Sequence, residues 1–203
     1  MHIVVNADAD QKEEILAKGF PDGVWVSFLD DKGMIPGADA YFDLCYEERG
    51  AAVASVTSVP VIVNAVITTS DKLPANYIRI NGWKGFLQRD AVEIVATGDQ
   101  FANAKKIFDT LEWKYHLAPD VPGMIAARVI AMIINEAYFG LGEGISTKSA
   151  IDTAMKLGTN YPYGPFEWGE KIGLEKIYRL LKTLHESESR YAIAPALEKE
   201  VLG

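Results

Sequence analysis

Two aspartates near the amino terminus are the first residues whose types and spacing could do chemistry. Residues 2–7 (HIVVNA) have the apolar run of a buried strand, and Asp8 and Asp10 fall at its end. A loop that holds phosphates at this place needs glycines, because its backbone must come close to the phosphate oxygens. Residues 6–11 (NADADQ) contain no glycine. We expect the aspartates to cap the following helix; a divalent metal bridged by them is the alternative, and we predict no metal site.

Charge and composition exclude several classes of protein. The chain has 203 residues, a formal net charge of −8, a pI near 4.9 and no cluster of basic residues. Binding of nucleic acid or of an anionic membrane surface is therefore not expected. Cys45 is the single cysteine, so neither an internal disulfide nor a cysteine-based zinc site can form, and we predict a small core residue. The amino terminus (MHIVV) lacks the pattern of a signal peptide, which favours a cytoplasmic location.

The first half of the chain has the pattern of an α/β unit. Apolar runs predict six strands, at 2–7, 24–29, 40–47, 60–66, 77–83 and 91–98. A helix is predicted at 10–18, with Asp10 as N-cap, Glu13 as its capping-box partner and Gly19 after its end.

A second helix is predicted at 99–113, and the segment 48–57 is either a third helix or a loop. The apolar face of the second helix consists of Phe101, Ala104, Ile107, Phe108 and Leu111. Continuous apolar strands with few helices predict a mostly parallel sheet, buried on both faces, in a short unit of Rossmann type.

A boundary follows, and the rest of the chain has only helical patterns. Residues 116–123 (HLAPDVPG) contain two prolines and a glycine, so we predict domains at 1–118 and 119–203. The apolar segment 123–143 has the length of a membrane span. It contains Arg128, Asn135 and Glu136 and has no second span beside it, which favours a buried central helix.

Three further helices are predicted after this one. The first is capped by Ser146 or Thr147 and ends at Gly158, and the next spans 174–186. The last begins near Pro195, a favoured first helical residue. The predicted core residues of the first are Ile151, Ala154 and Met155.

An ordered set of motifs in this half resembles the C-terminal domain of the 3-hydroxyacyl-CoA dehydrogenases. The motifs keep the order and spacing of that family. They are Pro122-Gly123, Arg128, Asn135-Glu136-Ala137, Ile151-Asp152-Thr153-Ala154-Met155, Leu157-Gly158, Pro162, Gly164-Pro165-Phe166-Glu167 and Ile172-Gly173-Leu174. The resemblance implies a shortened Rossmann-like domain followed by a helical domain like the C-terminal domain of 6-phosphogluconate dehydrogenase. It also implies a homodimer formed through that helical domain, which would supply one wall of an acyl-CoA cleft.

The resemblance further implies an oxidoreductase that transfers hydride between NAD and a 3-hydroxyacyl-CoA in fatty acid metabolism. The dinucleotide fingerprint would follow the first strand, where Asp8 and Asp10 stand in place of its glycines and would repel phosphates. Asp30 and Asp31, after the second strand, are candidates for a ribose contact or are part of a turn. The sequence therefore predicts no cofactor site with normal NAD geometry.

Alignment with the family's catalytic segment identifies three positions. Asn81 takes the place of the catalytic histidine, Glu93 that of the glutamate that orients it, and Ala127 that of an asparagine in the long helix. An amide does not titrate usefully, so Asn81 cannot act as a base, although it could hydrogen-bond a carbonyl. Asn81-Gly82 could equally form a tight turn. The histidines of the chain fall elsewhere in the alignment; they are His2, His116 and His185.

Three functions remain open at this point. The favoured hypothesis is a divergent relative that lacks NAD binding and hydride transfer and binds an acyl-CoA or a protein partner. The alternative is an active NAD-dependent 3-hydroxybutyryl-CoA dehydrogenase. The third is a regulatory module with an aromatic contact surface, unless those aromatic side chains fill the helical core. They are Tyr161, Tyr163, Phe166 and Trp168.

Overall fold

The computed structural model describes residues 1–29 and 35–203, which form two compact units, Met1–Met124 and Ile125–Gly203. The division follows Met124, whereas the predicted domain boundary follows residue 118. The proposed ribose contacts, Asp30 and Asp31, lie outside the described residues.

The first unit is built on one seven-stranded sheet. Its strands are β1 His2–Asn6, β2 Trp25–Phe28, β3 Ala40–Asp43, β4 Val61–Asn64, β5 Tyr77–Ile80, β6 Ala91–Val95 and β7 Lys114–Leu117. The order across the sheet is β2-β1-β3-β4-β5-β6-β7, and only the β5–β6 pair is antiparallel. The predicted mostly parallel sheet is confirmed.

Two predictions about the strands were wrong in detail. The predicted strand 40–47 ends at Asp43, because the chain turns into a short helix, α2, at Tyr46–Arg49. Strand β7 was not predicted, since its four residues (KYHL) are mostly exposed and carry no apolar run. It nevertheless pairs in parallel with β6 and closes that end of the sheet.

Alternate strand residues pack on opposite faces of the sheet, and the two faces are covered differently. One face carries Phe42, Ile62 and Ile78 beneath two helices, α1 Ala9–Lys18 and α3 Gln100–Thr110. The opposite face carries Tyr41, Val61 and Tyr77 beneath irregular segments rather than long helices. Those segments include Ala38, Val53 and Val56. The unit is therefore a Rossmann-like sheet with its two long helices on one face.

The ends and faces of the helices correct two further predictions. Asp8, rather than Asp10, is the N-cap of α1, and Gln11 rather than Glu13 completes the capping box. Gly19 follows the helix with a φ of 81°, as predicted. On α3 the other four predicted face residues are buried, but Phe101, in the first turn of this helix, is 42% exposed.

The second unit consists of helices. They are α4 Ala126–Gly142, α5 Lys148–Thr159, α6 Pro165–Ile172, α7 Leu174–Ser187 and α8 Pro195–Leu202. Helix α4 packs against α6, α7 and α8, which confirms the prediction of a buried central helix. Asn135 of α4 is buried with its amide satisfied, donating to the Ala192 carbonyl and accepting from the Ala194 amide, both at 2.9 Å. Among the residues described, no helix combines the length and apolar character needed to cross a bilayer.

Helix α5 differs from its prediction in both its face and its end. Thr147 is the N-cap, as one of the two predicted candidates. Of the three predicted core residues, Ala154 is exposed and Ile151 and Met155 are half-buried, because α5 lies at the surface of the unit. The left-handed residue at its end is Asn160 (φ 55°), not Gly158, since the helix continues to Thr159.

Candidate functional site

Polar residues lie at or directly after the carboxyl ends of four neighbouring parallel strands of the first unit. Asn6, Asp43 and Asn64 are the last residues of β1, β3 and β4, and Asn81 follows β5. Parallel strands bring their carboxyl ends to one edge of the sheet, which is where α/β proteins place ligands. Asp43, Asn64 and Asn81 are at most 1% exposed. We call this edge, together with the turns that follow the four strands, the carboxyl edge.

Asn6 and Asp43 are paired across β1 and β3. The Asn6 amide donates to Oδ1 of Asp43 at 2.7 Å, and the Ala52 amide donates to Oδ2 at 2.8 Å. Burial raises the pKa of Asp43, and these two donors only partly offset it. The Asp43 carboxyl group is thus fixed as an acceptor that ties the segment after α2 to the sheet.

The amino terminus of α1 is closed by its own residues. The Asp8 carboxylate accepts from the Gln11 amide at 2.8 Å, and the Gln11 side chain accepts from the Asp8 amide at 3.1 Å. Nε2 of Gln11 then donates to the carbonyls of Leu44 at 2.8 Å and Gly82 at 3.2 Å. The buried Gln11 side chain therefore fills the space between the β1–α1 turn and the ends of β3 and β5.

Asn64 joins the ends of β3 and β5 in a similar way. Its amide donates to the Leu44 carbonyl at 3.0 Å, and its Oδ1 accepts from the Gly82 amide at 3.0 Å. A Cβ at position 82 would lie 2.9 Å from Cγ of Asn64. Glycine is required at 82 by this close approach rather than by a turn conformation.

The two aligned catalytic positions of the first unit are in contact. Nδ2 of Asn81 donates to Oε2 of Glu93 at 3.3 Å, and the Asn81 amide donates to the Glu93 carbonyl at 3.0 Å. Burial lowers the pKa of the nearby Arg89 guanidinium, and Glu93 partly offsets this. Neither Asn81 nor Gly82 has the positive φ of a type I′ turn. The Gly82 amide instead donates to the Ile80 carbonyl at 3.1 Å, which closes a three-residue turn at Asn81.

Helix α1 also holds the loop that follows β5. Oε1 of Glu14 accepts from the Gly85 amide at 2.6 Å, and Lys18 donates to the Arg89 carbonyl at 2.6 Å. Asp10 forms an ion pair with Lys84 at 2.7 Å. Within the described residues, no group of three or more His, Cys, Asp or Glu side chains is arranged to hold a metal ion.

The remaining predicted residues are distributed over both units. Ala127 is a fully buried residue of α4. His2 begins β1 and contacts Oγ of Ser27 at 3.0 Å, while His116 of β7 and His185 of α7 are exposed. Cys45 is buried, as predicted, and its thiol faces Oε1 of Gln11 at 3.6 Å.

The four aromatic residues of the predicted contact surface do not all lie at the surface of the second unit. Phe166 and Trp168 are 3% exposed and fill the helical core, where they make edge-to-face contacts with Tyr138 and Tyr163. Tyr161 alone among the four predicted aromatic residues is exposed, at 39%. The core interpretation is therefore correct for Phe166 and Trp168.

Four polar residues of the carboxyl edge were missed as functional candidates: Asn6, Gln11, Asp43 and Asn64. One signal in the sequence could have identified three of them, since each is a polar residue that ends an apolar strand. Gln11 carried no such signal, because its partners lie 33 and 71 residues away in the chain.

The amino-acid sequence of the chain is similar to one protein family and to several known proteins. Residues 123–202 match the family described as 3-hydroxyacyl-CoA dehydrogenase, C-terminal domain. The 3-hydroxyadipyl-CoA dehydrogenase of Escherichia coli is 48% identical over 85 residues, which cover 41% of this chain and 18% of that protein. The 3-hydroxybutyryl-CoA dehydrogenase of Bradyrhizobium diazoefficiens is 30% identical over 167 residues, which cover 79% of this chain and 57% of that protein. The matched part thus spans little more than half of these relatives at most.

Structural comparison supports the same fold for the chain. The crystal structure of (S)-3-hydroxybutyryl-CoA dehydrogenase from Ralstonia eutropha superimposes with a TM-score of 0.76 over 99% of this chain and 93% of that one, at 17% identity. The fold is thus that of a Rossmann-like domain followed by a helical dehydrogenase domain. The chain is a relative of the 3-hydroxyacyl-CoA dehydrogenases, and residues 123–202 belong to their C-terminal domain family.

Proposed function

We propose that this chain is a divergent 3-hydroxyacyl-CoA dehydrogenase relative that lacks normal NAD binding and hydride transfer. Its remaining role would be to bind an acyl-CoA or a protein partner. The proposal rests on one observation, the closure of the β1–α1 turn by Asp8 and Gln11.

The residues of this turn do not fit a dinucleotide pyrophosphate. A pyrophosphate at a helix amino terminus binds free backbone amides beside glycines. Here the Asp8 carboxylate already takes the Gln11 amide, and the Gln11 side chain occupies the adjacent space. The turn carries a carboxylate where the ligand would bring its own negative charge, so electrostatic repulsion adds to the steric conflict.

The aligned catalytic positions support the same proposal. The Asn81 amide is buried and hydrogen-bonded to Glu93, and it has no titratable proton to exchange with a substrate hydroxyl. Ala127 brings only a methyl group to the asparagine position. In this proposal Glu93 orients an amide, which suits binding of a carbonyl rather than proton transfer.

The partners and location belong to the same proposal. An acyl-CoA ligand is supported by the names of the relatives, which are dehydrogenases of 3-hydroxyadipyl-CoA and 3-hydroxybutyryl-CoA. A role in fatty acid metabolism and a cytoplasmic location complete the proposal. A homodimer formed through the helical unit is supported by large apolar side chains that stay exposed there. Among them are Val129 at 53%, Ile145 at 71% and Leu157 at 83%.

Calorimetric titration of the full chain with NADH and with acetoacetyl-CoA, separately and together, tests the proposal. We expect no binding of NADH up to about 1 mM, the upper end of ordinary Michaelis constants. Acetoacetyl-CoA is expected to bind with or without NADH. Absence of binding by acetoacetyl-CoA would remove the acyl-CoA ligand and leave a protein partner as the proposed role.

An active NAD-dependent 3-hydroxybutyryl-CoA dehydrogenase is the second candidate, favoured by the relatives' names and by the retained Glu93. It predicts steady oxidation of NADH with acetoacetyl-CoA that is abolished by Asn81→Ala or Glu93→Gln. The control is His185→Ala at an exposed residue of α7, which should leave any activity unchanged. Activity with this dependence would overturn our proposal.

A further inference from the structure

A cavity lies at the edge of the sheet opposite the carboxyl edge. Asp39 and Pro60 line it and directly precede β3 and β4, whereas Asp43 and Asn64 end these two strands at the other edge. Each strand has four residues, a length of about 13 Å. We call this space the amino-edge cavity. It lies within the first unit and shares no lining residue with the carboxyl edge.

The amino-edge cavity has the size and the mixed lining of a small-molecule site. Its volume is about 430 Å³, within the range of roughly 300–1,000 Å³ that is typical of such sites. Its apolar lining includes Val59, Pro60 and Ile107. Its polar side chains are those of Asp39, Asn103 and Lys106. A ligand that fits must therefore combine an apolar body with polar ends.

Asp39 supplies a fixed carboxylate to the cavity. Its amide donates to the His2 carbonyl at 2.8 Å, and its Oδ2 accepts from the His2 amide at 2.7 Å. Over the described part of the chain, Oδ1 has no hydrogen-bond partner and the carboxylate has no ion-pair partner. The terminal nitrogen of Met1, which also lines the cavity, donates instead to the Gly23 carbonyl at 2.7 Å. One oxygen of Asp39 is therefore available to a ligand that carries a positive charge.

Helix α3 supplies an ammonium and an amide to the same cavity. Asn103 and Lys106 are three residues apart, so their side chains lie on one face of the helix. Neither side chain forms a hydrogen bond or an ion pair with any residue that the structure describes. The neighbouring Lys105, by contrast, pairs with Asp109. Asn103 and Lys106 can thus hold a carboxylate between them, and the flexible lysine stem lets the ammonium follow it.

Opposite charges line this cavity without neutralising each other. The Lys106 ammonium and the Asp39 carboxylate form no ion pair. A ligand with only a carboxylate would be repelled by Asp39, and a ligand with only an ammonium would leave Lys106 unmatched. A zwitterion matches both charges, and its apolar part would contact Val59, Pro60 and Ile107.

We propose that the amino-edge cavity binds a small zwitterion, an α-amino acid with an apolar side chain. The carboxylate of the ligand binds Lys106 and Asn103, and its ammonium binds Oδ1 of Asp39. The proposal does not depend on whether the chain binds NAD or an acyl-CoA, because the carboxyl edge contributes no residue to this cavity.

Calorimetric titration of the full chain with L-leucine, 4-methylpentanoate and 3-methylbutylamine tests the proposal. The second probe lacks the ammonium of leucine, and the third lacks its carboxylate. We expect leucine to bind with a Kd of about 1 mM or lower, and each of the other probes to bind at least about tenfold more weakly. Absence of leucine binding up to about 10 mM, or equally tight binding of 4-methylpentanoate, overturns the proposal.

Two substitutions assign the binding to the named residues. Lys106→Gln should weaken leucine binding at least about tenfold, because it removes the cation that holds the carboxylate. Asp39→Asn should weaken leucine binding by a similar factor and bring the affinity for 4-methylpentanoate close to that for leucine, because a neutral amide no longer distinguishes the two probes. An asparagine oxygen can still accept from the His2 amide, so the strand contact is kept.

The matched control is Lys105→Gln, the same charge change at the adjacent residue of α3, which does not line the cavity. It should leave leucine binding unchanged. Asn103→Ala, at an exposed helix residue, is a further variant outside the sheet and should weaken leucine binding at least about fivefold. Leucine binding that Lys106→Gln and Asn103→Ala both leave intact would lie elsewhere in the chain and would overturn the site. Thermal unfolding of each variant separates loss of binding from loss of folding.

Discussion

Two carboxyl groups, the buried Asp43 and the half-buried Glu47, are held by neutral hydrogen-bond donors. Asp43 accepts from Asn6 and Ala52, and Glu47 of α2 accepts through Oε1 from the amides of Ile67 at 2.7 Å and Thr68 at 2.8 Å. Burial raises the pKa of both groups, and the donors only partly offset it. Backbone amides and the Asn6 side chain here supply the hydrogen bonds that the two carboxyl groups accept.

Replacing Glu47 with Gln should remove part of the pH dependence of stability. Because its pKa is raised on folding, the native chain holds this proton at pH values where the unfolded chain has lost it. The stabilisation is complete below the ordinary value of 4.5 and is lost as pH rises through the raised pKa. Urea unfolding across this window should show the natural chain losing stability with rising pH relative to Glu47→Gln. A difference independent of pH would contradict the assignment.

At the scale of elements, the turn between α5 and α6 depends on a close backbone approach. Asp152 of α5 is buried and accepts from the Phe166 amide at 2.8 Å, so it caps the start of α6. Glu167 accepts from the Gly164 amide at 2.9 Å and pairs with Lys156 of α5. A Cβ at position 164 would lie 2.5 Å or less from three atoms of Asp152, including its Cα.

Gly164→Ala should therefore destabilise the chain by about 3 kcal/mol, because the backbone of α5 must move to admit a methyl group. The matched control is Gly158→Ala in the last turn of α5, where a Cβ meets no atom within 4 Å and φ is not positive. That change should be neutral or stabilise by up to about 1 kcal/mol. Urea unfolding of both variants gives the comparison, and equal stabilities would contradict the packing argument.

How far these elements follow from the sequence depends on the range of the contacts involved. The central strands, α1, α4 and the start of α8 follow from apolar patterns and capping residues that are local in the chain. The choice of Asp8 over Asp10 as N-cap was not decided locally, because both are good caps and Asp10 is taken up by Lys84. The exposed side of α5 could not be predicted, since its amphipathic pattern says nothing about what covers it.

Only those residues of the candidate site that align with the family's catalytic segment were predicted from the sequence. Asn81 and Glu93 were found by alignment, and the structure places them in hydrogen-bond contact. Their roles remain proposals. The closure by Gln11 joins segments far apart in sequence, and a glutamine in the first turn of a helix is too common to suggest it.

At the scale of the whole molecule, the contacts of Arg79 join the segment 119–124 to the first unit. This guanidinium is fully buried on β5 and donates to the carbonyls of Ala65, Val66 and Val121 and to the Asp120 carboxylate at 2.5 Å. The segment 119–124 thus supplies the charge that Arg79 needs, although the predicted boundary places that segment in the helical domain.

A fragment ending at Met124 should consequently be more stable than one ending at Ala118. The shorter fragment leaves the Arg79 guanidinium buried without its carboxylate, at a cost of about 3 kcal/mol. Thermal unfolding of residues 1–124 and 1–118, together with Asp120→Ala in the longer fragment, measures the difference. Equal stability of the two fragments would favour the predicted boundary.

The hydrogen bonds that hold the loop after β5 should slow the exchange of its amide protons with solvent. Residues 82–90 form no helix or strand, yet the Gly82 amide is held by Asn64 and the Gly85 amide by Glu14. These protons should exchange with deuterium nearly as slowly as those of the central strand β4, unlike an ordinary surface loop. Glu14→Ala should release the proton of Gly85 while leaving that of Gly82 protected. The carboxyl edge would then behave in solution as part of the rigid core of the first unit.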